Sequence, residues 1–396
     1  MDVERLRKDF PILRDVIYLD SASTSLTPEP VLQAVLEYYR EYKANVGRGV
    51  YRTAQIADQR YRDAHRKTAD FIGGGGEGLT VFTRNATESI NIIARGLNWK
   101  KGDRIVTTLM EHHSNLLPWI RQKQLGADLE IVKPDRAGQL DPSDLDRAIK
   151  KGTRLVAVSQ VSNALGTVLP VKEIAEICRD RGAALLVDGA QSVPHMPLDV
   201  ADLHCDFLCF SGHKMLAPMG AGVLWMRKEE GIEPLLAGGG MVEDADVDGY
   251  VAKKGYEGYE AGTPDISAGI GLGRALDYLG EVGMDEVYSH EQRQASRLIE
   301  GLQGIKGVVV YGPGLSQSRH SGVVSFAVDG LLPHEVAMML DRAAGICVRS
   351  GHHCCIPLMK HLGLKYGTVR ASIYLYNTEA EIDKLLATVE QIARMA

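Results

Sequence analysis

Long apolar runs are missing from this chain: none approaches the roughly 18 residues that a helix needs to cross a bilayer, so no membrane partner is expected. A basic excess is missing too. Lys and Arg number 45 against 51 Asp and Glu, the net charge is −6 and no Lys/Arg tract occurs, which leaves nothing to attract a polyanion and excludes nucleic acid as an expected partner. Cysteine is sparse: six in 396 residues, at 178, 205, 209, 347, 354 and 355. That uneven spacing does not read as a disulfide framework, and free thiols in a reducing compartment are expected. The start, Met1-Asp2-Val3-Glu4-Arg5, is too charged to begin a signal peptide, so a cytoplasmic location is the expectation. Internal repeats and low-complexity tracts are also lacking. What is present is globular in composition, 45% hydrophobic and 24% charged, and long enough for a sizeable core in two domains.

Strand-like runs alternate with helix-like segments from about residue 80 to 226, predicting a mostly parallel sheet covered by helices on both faces. The strands are predicted at Leu79 to Thr83, Arg104 to Thr108, Leu129 to Val132, Leu155 to Ser159, Ala184 to Asp188, Phe207 to Phe210 and Gly222 to Met226. Helices are predicted at Glu88 to Leu97, Leu116 to Leu125 and Val171 to Arg181. After Gly238-Gly239-Gly240, the polar stretch Glu243 to Lys254 has neither period and reads as a long surface loop. A helical region from about Ile266 to Leu302 then leads to a smaller α+β part, with strands near Val308 to Tyr311, Val323 to Ala327 and Val369 to Ile373 and a last helix from Glu379 to Ala393. The domain boundary is placed near residue 280, giving a large domain over 16–280 and a small one from 1–15 and 281–396. Gly73-Gly74-Gly75-Gly76-Glu77-Gly78 matches G-x-G-x-x-G, but it follows a helix and precedes a strand, the reverse of a dinucleotide site.

Chemistry concentrates where the strands end. Ala183-Ala184-Leu185-Leu186-Val187 reads as a buried strand closing on the carboxylate of Asp188, and Ser211-Gly212-His213-Lys214 follows the next strand. Pyridoxal phosphate (PLP) needs a carboxylate beside its pyridine nitrogen and a lysine amine to hold its aldehyde. Asp188 and Lys214 fit those roles, although an Asp at a strand end often only caps a turn and a Lys is usually a solvated charge. The apolar Met215, Leu216 and Ala217 beside Lys214 argue for a desolvated amine. Asn85-Ala86-Thr87-Glu88 reads as a turn into a helix, able to receive a phosphate on free amides or simply to cap the helix.

Near the C-terminus stands Val348-Arg349-Ser350-Gly351-His352-His353-Cys354-Cys355-Ile356-Pro357. Together with Tyr18-Leu19-Asp20-Ser21-Ala22, Thr87-Glu88-Ser89-Ile90-Asn91, Glu111-His112-His113-Ser114-Asn115, Val161-Ser162-Asn163-Ala164-Leu165-Gly166-Thr167, Glu260-Ala261-Gly262-Thr263-Pro264 and Val369-Arg370-Ala371-Ser372, it makes nearly the whole chain resemble the fold-type I PLP enzymes of the class V aminotransferase family. The likeness is to cysteine desulfurases of the SufS type in particular. It implies a large domain with a mostly parallel seven-stranded sheet plus a smaller α+β C-terminal domain carrying the Cys loop and a carboxylate-binding arginine.

It further implies roles. Ala86, Thr87, Ser211 and His213 would hold the phosphate, joined by Thr263 of a neighbouring subunit in a homodimer. Asp188 would face the pyridine nitrogen, Gln191 the phenolic oxygen and His112 the ring face, with His113 as the alternative stacking residue. Arg370 and Asn163 would bind the substrate carboxylate, and Arg349 would steer substrate or serve structurally. Cys354 matches the nucleophile that takes sulfur from L-cysteine as a persulfide, leaving alanine, for iron–sulfur cluster or thiocofactor assembly. Cys355 stands where alanine is expected: a second sulfur carrier, half of a vicinal disulfide, or a small buried residue. Gly47 before Arg48 replaces an expected His in the region where substrate enters. No metal is expected, because His352-His353-Cys354-Cys355 has no second ligand pair at zinc-like spacing. The short Cys loop implies a nucleophile held near the site and a sulfur-acceptor protein or iron–sulfur scaffold as partner. Competing readings are a selenocysteine lyase acting on L-selenocysteine, a related epimerase or transaminase, and a metal-binding scaffold.

Overall fold

A computed structural model describes residues 1–229, 231–314 and 320–396. Seven strands form one sheet in the order Leu79–Thr83, Gly222–Met226, Phe207–Ser211, Ala184–Asp188, Thr153–Ser159, Arg104–Thr108, Asp128–Val132. Only Gly222–Met226 runs against the others. The central strands are apolar at successive positions because both faces are covered. Val156, Val158, Leu185 and Val187 face a core shared with the helices Val171–Arg181 and Ile266–Val282, whereas Leu155, Ala157 and Leu186 face the helix Ala86–Gly96. The period of two therefore splits each strand between two cores.

A second, antiparallel sheet has the order Val308–Tyr311, Val323–Val328, Thr368–Ser372, Arg349–Gly351. It packs with the helices Met284–Gln303, Pro333–Ala344 and Glu379–Met395 around Leu298, Phe326, Val336, Val369 and Leu385. The short strand Ile17–Tyr18 pairs with Ile346–Cys347, and Asp20 bridges to Ser372. That pairing carries the N-terminal segment onto the sheet that bears Arg370.

One expectation needs correction. Glu243 to Lys254 is not a loop: Val242–Ala245 and Tyr250–Ala252 pair as an antiparallel hairpin with an irregularity at Val251/Ala252. Its strands are exposed on both sides, so no apolar face marked their period. The helical region expected from about Ile266 to Leu302 is present, as two helices, Ile266–Val282 and Met284–Gln303, parted at Gly283, whose φ of 89° a side chain would resist. The edge strand Arg349–Gly351 went unnoticed because three polar or small residues carry no hydrophobic signal. The glycine run behaves as expected: the helix Arg52–Phe71 ends, Gly73 turns at φ 72°, and the strand at Leu79 begins. No helix among the described residues is long and apolar enough to cross a membrane.

Candidate active site

A cavity of about 200 Å³ opens beyond the carboxyl ends of the central strands, where ligands bind in sheets of this kind. Asp188 ends the strand Ala184–Asp188, and Ser211 ends Phe207–Ser211, which runs directly into a single turn, Gly212–Lys214. The Asp188 carboxylate is buried, accepts from the Ala190 N–H at 3.0 Å, and has its pKa raised by desolvation. Burial lowers the Lys214 amine to about 8, with Asp188 acting in the opposite direction and Arg370 adding to the drop. Among the described residues Lys214 makes no hydrogen bond or ion pair, so its amine stands free toward the cavity it lines.

The start of the helix Ala86–Gly96 forms another wall. Asn85 caps it by accepting from the Glu88 N–H at 3.1 Å, and the Ala86 N–H donates to Ser211 Oγ at 2.9 Å. The Thr87 N–H has no partner among the described residues and is one of the orphan donors of the helix start. A Cβ at Gly222 would lie 2.4 Å from Asn85 Cα. Only glycine lets the strand close against this turn. His213 also lines the cavity, with its ring brought down to about 4 by burial and then by Lys214.

Across the cavity, His112 Nδ1 accepts from the Ser114 N–H at 3.1 Å, which leaves the ring proton on Nε2. Burial, then Lys214, pulls this imidazole down to about 3, so it is neutral. Glu111 holds the turn beneath it: the carboxylate accepts from the Ser159 N–H at 2.8 Å, from Asn115 Nδ2 at 2.7 Å and from Thr108 Oγ1 at 2.6 Å. Arg370 is 2% exposed and donates to the Asn163 carbonyl at 2.9 Å, to Asp20 Oδ1 at 3.1 Å and to Ser23 Oγ at 2.8 Å; its Nε–H is buried without a partner. Arg349 donates to the same Ser23 hydroxyl at 2.9 Å.

Four residues, 352–355, connect the strand Arg349–Gly351 to the helix Ile356–His361. His353 and Cys354 both adopt left-handed backbone, φ 51° and 57°, at a cost of roughly 1–2 kcal/mol each for residues with a Cβ. The twist separates the two thiols. Cys354 is exposed and lines the cavity, whereas Cys355 is 0% exposed and donates through Sγ to Asn163 Oδ1 at 3.2 Å. Burial drives the Cys355 thiol far above its ordinary pKa. Both are free thiols in this structure. Among the described residues no group of His, Cys, Asp and Glu is placed to hold a metal ion.

The model of the aminotransferase class-V family matches residues 17–385. The chain belongs to the class V aminotransferase family. A probable cysteine desulfurase of Methanothermobacter thermautotrophicus is 46% identical to this family member over 400 residues, covering 100% of this chain and 99% of the relative. The backbone of this chain resembles the apo structure of the cysteine desulfurase from Thermococcus onnurineus, with a TM-score of 0.95 and 47% identity over 99% of this chain and 98% of the other. It also resembles the cysteine desulfurase CsdA of Escherichia coli, with a TM-score of 0.92 and 32% identity over 100% and 99% of the two chains.

In this family member one cavity gathers Ala86, Thr87, His112, Asn163, Asp188, Gln191, Ser211, His213, Lys214, Arg349, Cys354 and Arg370, whereas His113, Cys355, Gly47 and Thr263 are not among its lining residues. Thr263 lies elsewhere on the chain, where its Oγ1 is 3.5 Å from Asn45 Nδ2 near Gly47 and Arg48. Ser23, Ser114 and His353 line the cavity too, and no role was read for them. Ser23 and Asp20 sit next to or within the matched Tyr18–Ala22 segment, but a hydroxyl shared by two arginines has no signature in one dimension.

Proposed function

We propose that this member of the class V aminotransferase family is a PLP-dependent L-cysteine desulfurase of the SufS type. One observation carries the reading: an exposed thiol, Cys354, stands on the rim of the same cavity that holds Asp188 and Lys214. The desulfurase names of its relatives agree. PLP fits these residues. The cavity offers a free amine at Lys214, the unpartnered Thr87 N–H at a helix start, and Gln191, whose Oε1 is buried without a partner while Nε2 donates to the Ala22 carbonyl at 2.8 Å.

When bound, PLP withdraws electrons from the bonds at the substrate's α-carbon. The residues of the chain supply the rest. Lys214 would hold the aldehyde and move protons, since its amine, lowered to about 8 by burial, is partly neutral near pH 7. Asp188 would face the pyridine nitrogen and favour its protonated form. Thr87, Ser211 and His213 would hold the phosphate, with the Ala86 N–H fixing the Ser211 hydroxyl. His112, neutral with its proton on Nε2, would face the ring. The Arg370 fork, with Asn163 beside it and Arg349 sharing Ser23, takes the substrate carboxylate. The Cys354 thiolate then bonds to the substrate sulfur as the carbon–sulfur bond breaks; the carbon takes a proton and leaves as alanine, and the sulfur stays as a Cys354 persulfide. Thr263, remote from its own cavity, would complete the phosphate site of a second subunit, and the persulfide would pass to an acceptor protein or iron–sulfur scaffold in the cytoplasm.

The test is product analysis with cysteine, selenocysteine and alanine side by side. The reading requires alanine and one protein persulfide per active site from cysteine; PLP-loaded protein that makes neither would overturn it. Arg370→Ala is expected to lower kcat/KM for cysteine by about 2–4 kcal/mol, roughly 30- to 1,000-fold, with PLP affinity nearly unchanged. Steady-state kinetics beside a PLP titration checks both halves. Cys355→Ala should retain most of the activity, because that thiol is buried, protonated and turned to Asn163; initial rates against the wild type decide it.

A further inference from the structure

The helix Ile356–His361 starts immediately after the paired cysteines, yet its N-cap residue, Cys355, makes no side-chain capping bond. A helix start leaves its first N–H groups without internal partners. Here Cys355 cannot serve, because its thiol is turned to Asn163. The cap comes from elsewhere. His113, in the turn His113–Asn115, accepts from the Ile356 N–H through ring Nε2 at 3.2 Å, and its own backbone N–H donates to the Cys354 carbonyl at 2.8 Å. The two bonds lie on either side of Cys355, and among the described residues no other hydrogen bond reaches Cys354. Its neighbours are held separately: the His353 carbonyl accepts from Asn163 Nδ2 at 2.8 Å, and His353 Nε2 pairs with Thr368 Oγ1 at 2.9 Å. Two successive left-handed residues with side chains, 353 and 354, do not stay in that conformation without such restraint.

We propose that His113 is a positioning residue for sulfur transfer: its neutral ring caps the helix that follows the nucleophile and keeps the Cys354 turn at the cavity rim. The ring does this from an adjoining turn, and it touches no reacting atom. Because Nε2 accepts, the ring carries its proton on Nδ1. Any acceptor at the same reach can replace it, and a glutamine side-chain oxygen occupies nearly the position of an imidazole Nε2. Every variant at 113 keeps the backbone donor to Cys354, so substitution probes the ring contact alone. His113 is half-buried, so its truncation opens no cavity in the core.

The inference rests on the desulfurase reading, and two measurements keep them apart. In cofactor-free protein, amide hydrogen exchange at Ile356 reports the cap directly: His113→Ala should speed it by about 10-fold, and His113→Gln should leave it near the wild-type rate. In PLP-loaded protein, single-turnover persulfide formation at saturating cysteine should fall by about 10-fold in His113→Ala with KM for cysteine unchanged, since Arg370 and Asn163 are untouched, and should recover in His113→Gln. Wild-type exchange and turnover in His113→Ala would overturn the proposal. So would a His113→Gln protein as slow as the alanine variant with a shifted cofactor absorption band, which would make the ring a group acting on the cofactor. A wild-type protein that forms no persulfide would defeat the desulfurase reading and leave the exchange result standing.

Discussion

Replacing Lys214 by alanine is expected to abolish cysteine turnover, lowering kcat by at least about 1,000-fold, the scale on which a covalent and proton-transferring group acts. The expectation comes from where the amine sits. It ends the single turn after the strand Phe207–Ser211, in the cavity that Asp188 shares, and burial has already lowered it to about 8. Among the described residues no other lysine lines that cavity, so none there can replace it. Borohydride treatment followed by peptide mapping provides the check. In the wild type the reduced cofactor should stay attached to the peptide containing Lys214, and in the variant it should wash out. Full activity in Lys214→Ala would remove the PLP assignment altogether.

Cys354→Ala is expected to have the second largest effect and a different character. Asp188, Lys214 and Arg370 remain, so the variant should bind PLP and cysteine, yet it should yield neither alanine nor protein-bound sulfur. The neighbouring thiol cannot substitute. Cys355 is fully buried, donates to Asn163, and is held protonated by its desolvation, whereas the nucleophile in sulfur transfer is the thiolate. Cys178, Cys205 and Cys209 are buried as well. Mass spectrometry of the protein after one turnover decides the matter, and a persulfide found on Cys355 alone would reassign the nucleophile.

The sequence made the central sheet legible because strands buried on both faces are written in Val, Leu and Ile, and each of the seven predicted runs became a strand. Asp188, Lys214, Cys354 and Arg370 were legible for another reason: their chemistry is rare and their neighbours match a family pattern. What the sequence concealed was whatever depends on a partner distant in the chain. The hairpin at 242–252 buries no face and so has no period. Asp20 and Ser23 acquire meaning only beside Arg370, and the ring of His113 only beside Ile356. His113 looked like a spare stacking residue because the sequence shows it next to His112, while the structure points its ring nitrogen at the cysteine segment.

The Asp20–Arg370 pair also sets a timetable. Its members are 350 residues apart, and at a synthesis rate of about 5–20 residues per second the second emerges roughly 20–70 s after the first. The strands bearing Asp188 and Lys214 leave the ribosome well before Arg370 does. During that interval Asp20 and Ser23 have no Arg370 guanidinium to meet. The loop that carries Asp20 therefore takes up its final packing only once the last 27 residues, 370–396, have begun to emerge.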